Sequence, residues 1–138
     1  MVRTHPLHAD RRGTALIEFA LLLPVLVALL FGMLAYGQYF LLAHSVQELA
    51  NDAARSTVGG LTASERSQLA TNTVAVETPH IAAMPANRVT SAVAEADGLV
   101  TVSVRFDASS LTLFHTPLVP MPSPTIERQA VIRVSSAS

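Results

Sequence analysis

Between Arg12 and Glu48 the chain carries a single charged side chain, the carboxylate of Glu18, set just inside a long apolar run. An acid in such a place is costly and marks a functional position by default. The other residue types that do chemistry are dispersed. His5, His8, His44, His80 and His115 show no ligand spacing of the His-Glu-x-x-His kind. No serine sits in a Gly-x-Ser-x-Gly setting, and no glycine-rich loop is present to cradle a phosphate. Glu95 and Asp97 read as the solvated end of a hairpin, not as an acid–base pair. With no cysteine in the chain, disulfides, thiolate metal sites and cysteine nucleophiles are excluded. The residues therefore support no catalytic role, no metal and no cofactor. What needs a physical reason is one acid.

That acid belongs to an element whose purpose is plain from composition. The chain is 50% hydrophobic and only 14% charged, below the usual quarter for soluble domains, and the bias is concentrated between Thr14 and Ala43. Residues 19–43 contain no charged side chain. At ~1.5 Å per residue they are long enough to cross a hydrocarbon core of about 30 Å. Before them stand Arg3, Arg11 and Arg12 against Asp10 alone, which puts the N-terminal end in the cytoplasm by the positive-inside rule and everything after the span on the far side. A cleaved secretory signal fits less well. Its apolar core is shorter, and the best small-x-small site, Leu41-Leu42-Ala43, has a large residue at the wrong place. Arg11-Arg12 as a twin-arginine signal is weaker still, because Thr14-Ala15 continues it poorly. Pro24 lies one turn inside the span and removes a backbone donor. Ala28-x-x-x-Gly32 is a small-x-x-x-small pair able to seat a second helix. Tyr36 and Tyr39 fit the aromatic belt of the outer interface.

Beyond His44 the pattern becomes one-sided. Val46, Leu49, Ala50, Ala53, Ala54 and Val58 recur at helical spacing, while Gln47, Glu48, Asp52 and Arg55 fall off that face. The same helix thus continues into water until Gly59-Gly60 ends it. Thr62 with Glu65 forms a capping box for a second helix running to about Val76, with Leu69, Ala70, Thr73 and Val74 inward. Residues 88–95 and 99–107 alternate around a tight turn at Asp97-Gly98. In the second of these strands Val100, Val102, Val104 and Phe106 share the core face. Four prolines at 117, 120, 122 and 124 mark an extended loop, and residues 126–134 alternate again. Three strands need an apolar lid, which the amphipathic half of the long helix supplies. The expectation is an α+β chain: a leader over residues 1–13, a transmembrane and amphipathic helix over 14–60, and a small domain over 61–138 with a short helix and a three-stranded antiparallel sheet. Nine Arg against ten acids give a formal charge of −1, and no basic stripe exists to meet a nucleic acid.

Gly13-Thr14-x-x-x-Glu18-Phe19 at the edge of an apolar helix resembles the precursors of type IV pilin-like proteins. Within that group, Glu18-Phe19-Ala20-Leu21-Leu22-Leu23-Pro24-Val25, then Phe31-Gly32 and Tyr36-Gly37, resembles the TadE-like pseudopilins of tight-adherence (Flp) pili. The resemblance is carried by residues 11–55 and is only architectural afterwards. It implies a membrane prepilin peptidase that cuts between Gly13 and Thr14. It also implies a processed protein held in the bacterial inner membrane, and partners among other pilin subunits and the assembly platform. Loss of three Arg and one Asp with the leader would take the formal charge from −1 to −3. The acid then acquires a reason. A new α-amino group at Thr14, with a pKa near 8 in water, is mostly protonated. Glu18 stands one helical turn away on the same face, so its carboxylate can meet that amine or the amine of a neighbouring subunit. The processing residues are thus Gly13, Thr14, Glu18 and Phe19, and the assembly residues Thr14, Glu18, Pro24, Ala28 and Gly32.

A second reading has a different class. A signal-anchored membrane protein would keep its leader and carry a periplasmic binding or sensory domain in residues 61–138. There Glu18 would snorkel among headgroups with no particular partner, and replacing it would be harmless.

Overall fold

The computed structural model describes residues 11–115 and 120–134. The expected leader up to Asp10, and Pro117 of the proline-rich loop, lie outside the described residues. One helix, α1, runs unbroken over Arg11–Ser56, 46 residues, or about 69 Å. It begins three residues earlier than the sequence pattern suggests, so Arg11, Arg12 and Gly13 are helical. Arginine is a good helix former, and one glycine costs only about 1 kcal/mol against such a long apolar continuation. Pro24 is accommodated inside α1 without ending it.

The two halves of α1 have different surroundings. Leu16, Ile17, Phe19, Leu21 and Leu22 lie bare, as do Leu29, Leu30, Phe31, Met33 and Leu34. From Leu42 onward one face is closed: Leu42, Ala43, Val46, Leu49, Ala50, Ala53 and Ala54 are buried. Four of these seven are alanines, which let the helix axis approach its neighbours closely. The expected last member of that face, Val58, is instead 62% exposed, and Thr57 is buried in its place. Thr57 continues the three-and-four spacing from Ala50, Ala53 and Ala54. Its hydroxyl is satisfied by donating to the Ala54 carbonyl at 2.6 Å, so a polar residue closes an apolar seam at no hydrogen-bonding cost. The α-helix gives way to a 3₁₀ turn at Thr57–Gly59.

Helix α2 covers Ala63–Glu77 and starts on the expected capping box: the Glu65 amide donates to the Thr62 hydroxyl while the Glu65 carboxylate accepts from the Thr62 amide. Ala70 and Val74 are buried on its inner side, with Leu69 and Thr73 half-buried beside them. The sheet follows: β1 (Val89–Ala96), β2 (Leu99–Asp107) and β3 (Thr125–Arg133), antiparallel in the order β1-β2-β3. Asp97 and Gly98 take φ of 53° and 71°, the left-handed pair of a two-residue type I′ hairpin. Register is set by the central strand, where Val100, Val102, Val104 and Phe106 are all fully buried. On that face they pair with Glu95, Val93, Ser91 and Val89 on one side and with Ile132, Ala130, Arg128 and Ile126 on the other. The buried face of α1 covers them and closes the core.

The strands run along α1, so the domain has two ends. At the distal end lie the 97–98 turn and the 59–60 turn. There Arg66 clamps α2 to the sheet edge: its Nε and Nη2 donate to the two carboxylate oxygens of Glu95 at 2.9 and 2.7 Å, and its Nη1 donates to the Gly60 carbonyl at 2.9 Å. Gly60 has to be a glycine, since a Cβ there would sit 2.8 Å from the Arg66 amide nitrogen. At the other end the 78–88 connection and the described parts of the 108–124 connection fold back toward the bare half of α1.

Candidate processing and assembly site

All the residues singled out for processing lie in the first turns of α1. The Gly13–Thr14 peptide bond sits in the first described turn of α1, with the residue of lowest helix propensity but proline on its N-terminal side. Gly13, Thr14, Glu18 and Phe19 are all exposed, Phe19 by 60%. Thr14 and Glu18 are four residues apart on a continuous helix, which sets them one above the other on one face. Nothing in the rest of the described chain folds over them.

Pro24 is exposed on the same bare helix, whereas Ala28 and Gly32 are half-buried. Ala35 and Tyr39 are half-buried too, and Leu42 is buried. Residues 28, 32, 35, 39 and 42 follow a three-and-four spacing, drifting by about 40° over two heptads of a straight helix. The small-residue pair thus lies on the side of α1 that carries the domain higher up. A helix seated against Ala28 and Gly32 stands beneath the domain, not behind it.

Two contacts invisible in local sequence patterns define the top of this bare region. The Tyr36 hydroxyl donates to the Pro120 carbonyl at 2.7 Å, across 84 positions of chain. The Tyr39 ring meets Phe114 edge-on at 6.3 Å between centroids. The two tyrosines are thus engaged by the domain as well as being placed at the end of the apolar run. The second surprise is Glu95, expected to be solvated at the hairpin end. It is exposed, as expected, but it is also paired with Arg66, and the guanidinium hydrogen bonds hold its carboxyl below the usual carboxylate range. No signal in the sequence joins residues 66 and 95, because the pairing depends on how α2 lies against the sheet edge. Among the described residues no group of three or more His, Asp or Glu side chains is arranged to hold a metal ion.

The helix is long and apolar enough to cross a membrane, by length and composition. Searches of curated proteins and of solved structures each give no match. A family model for TadE-like proteins matches residues 13–55, which is α1 almost to its end and leaves the sheet domain unmatched. TadE-like proteins are associated with Tad pili and carry an N-terminal apolar helix. Every position assigned above to processing or assembly falls within the matched stretch, and over residues 13–55 the chain is similar to the TadE-like family.

Proposed function

We propose that the protein is a minor pilin or pseudopilin of a tight-adherence (Flp-type) pilus or a related secretion apparatus. In this reading a prepilin peptidase cuts it after Gly13. It then stays in the inner membrane by a single span, with its domain outside the cytoplasm, and meets other pilin subunits and the assembly platform through α1. Its role is structural, not enzymatic.

The observation that carries the reading is the pairing of a bare apolar helix with an acid, Glu18, one turn after the Gly13–Thr14 bond. In lipid, an ionised carboxylate facing outward from a spanning helix is unfavourable. A protonated amine at Thr14, whether its own or that of an adjacent subunit, removes that penalty by charge pairing. An inter-subunit pair does more, since it is satisfied at one axial offset only. Ala28 and Gly32 supply the flat surface on which a second helix packs closely while that offset is set. The core between α1 and the sheet is filled by side chains, which suits a domain whose task is to be carried and packed.

Glu18→Ala tests this. The variant is expected to be cut after Gly13 to the same extent as the unaltered protein, because the scissile bond and its glycine are intact, and then to fail to enter assembled material. Normal assembly of cut Glu18→Ala overturns the register role of the acid and favours the signal-anchored alternative.

A further inference from the structure

The end of the domain nearest the bare half of α1 is built from three stretches that share one chemical property. Residues 19–47 of α1, the 78–87 connection and residues 108–126 contain no Asp, Glu, Lys or Arg, and their only titratable side chains besides tyrosine are His44, His80 and His115. The charges that adjoin them at this end are Arg88 and Asp107, which pair with each other at 3.1 Å, and Arg88 also donates to the Ser109 hydroxyl at 3.2 Å. Two of the three stretches are loops, where charged and polar residues are the norm, yet one carries Ile81, Ala82 and Ala83 and the other Leu111, Phe114, Pro120 and Met121, with Ile81, Leu111 and Phe114 packed partly against the core. Ala83 holds a φ of 63°, a conformation that water-facing turns usually give to Gly, Asn or Asp. Here the tip is an exposed Ala82-Ala83 pair.

Contacts fix the height of these loops on the helix. Pro120 is tied to Tyr36, Phe114 meets Tyr39 edge-on, and an open groove of about 400 Å³ is lined by Gln38, Leu41, Leu42, Ala82, Ala83 and Leu111 together with Thr112. The two loops thus meet α1 over residues 36–42. The bare helix from Thr14 to Ala35 measures about 33 Å at 1.5 Å per residue, against a hydrocarbon core of about 30 Å. With Thr14 at the inner edge, Tyr36 arrives at the outer edge. Phe40 and Leu41, still 65% and 66% exposed, stand in the headgroup layer, level with the two loops.

We propose that the domain docks on the outer leaflet of the membrane through these two loops, with Ala82, Ala83, Leu111 and Met121 at headgroup depth beside Phe40 and Leu41. The partner is a lipid surface. The argument for lipid over a protein neighbour is continuity: the rim formed by the loops is the upward extension of the apolar helix surface, it meets that helix at the height where a span ends, and its nearest charges, Arg88 and Asp107, are paired with each other. Docking holds the domain at one height and tilt over the membrane before assembly, so that the Ala28–Gly32 side beneath it faces along the bilayer. The inference rests on the membrane-anchored reading given above.

The chain has no cysteine, which permits a direct test in the full-length protein reconstituted into phosphatidylcholine vesicles. Leu26→Cys, Ser64→Cys, Ala82→Cys and Met121→Cys are each labelled with a nitrobenzoxadiazole probe. Quenching is then read with iodide in the water and with nitroxides placed at the headgroup or deep in the acyl chains. Probes at 82 and 121 are expected to be quenched severalfold more by headgroup nitroxide than by deep nitroxide, and to be shielded from iodide. The probe at 64, on the distal end, should respond to iodide alone. Iodide access at 82 and 121 equal to that at 64 overturns the proposal. So does shielding from iodide without nitroxide quenching, because a protein neighbour then covers the rim. The probe at 26 separates the two levels of failure: quenching there by deep nitroxide keeps the anchored reading even if the rim is found in water, and its absence removes both.

Discussion

Glu18 and Glu95 show how differently two carboxylates of one chain are settled. Glu95 is held by Arg66 in a bidentate pair, Glu65 by the amides of Leu61 and Thr62, and Asp107 by hydrogen bonds from Ser109, with the Arg88 guanidinium adding to the effect. Each of the three has its folded-state pKa lowered below the ordinary value, 4.5 for Glu and 3.8 for Asp. A lowered pKa means that the stabilisation is present above the unfolded value and is lost as pH falls through the folded one. The domain is therefore expected to melt at the same temperature between pH 7 and 5, and at a progressively lower one below pH about 4. Circular dichroism melts across that range check it; an unchanged melting temperature at pH 3 would remove these three contacts from the account of stability. Among the described residues Glu18 has no such partner. Its isolation was legible in the sequence, because an acid alone in an apolar run needs no fold to be noticed. The clamp at Arg66–Glu95 was not legible, because it joins residues 29 positions apart on elements whose relative placement is set by packing.

At the scale of elements, periodicity carried most of the information. The alternation of Val100, Val102, Val104 and Phe106 identified the core face of β2, the Asp97-Gly98 pair identified the hairpin, and Thr62 with Glu65 identified the start of α2. Each is a local pattern with one dominant physical cause. Boundaries moved by a residue or two where that cause is weak, as at β3, which is Thr125–Arg133 where the sequence pattern suggests 126–134. The instructive miss is Val58. An apolar residue at roughly the right spacing looked like the end of the buried face of α1, yet that place belongs to Thr57, whose hydroxyl turns back onto its own helix. Side-chain truncation distinguishes the two positions. Val58→Ala is expected to change domain stability by no more than about 0.5 kcal/mol. Ala53→Leu, which forces a large side chain into the closely approached seam, is expected to cost about 1–3 kcal/mol. Urea denaturation of the detergent-solubilised protein measures both. A larger loss from Val58→Ala than from Ala53→Leu would mean that the buried face of α1 has been drawn wrongly.

Taken whole, the molecule is a long helix serving two solvents, with a small sheet domain seated on its second half. The division between those solvents was readable from charge alone: one acid in the apolar half, and acids and arginine returning from Glu48 onward. What the linear pattern did not contain is the way the domain reaches back down the helix to Tyr36, since the Pro120 and Phe114 contacts come from a loop with no periodicity of its own. That return sets the length of bare helix close to the thickness of a bilayer core. The TadE-like match is confined to the helix, as is every residue proposed for processing and assembly. The domain above carries them without contributing to them. The central claim is that Gly13 ends a leader which is removed. Intact-mass and N-terminal analysis of the protein produced with and without its prepilin peptidase tests it most directly. The account predicts a chain beginning at Thr14 when the peptidase is present and an uncut chain when it is absent; a start at Met1 or Val2 in both would contradict it.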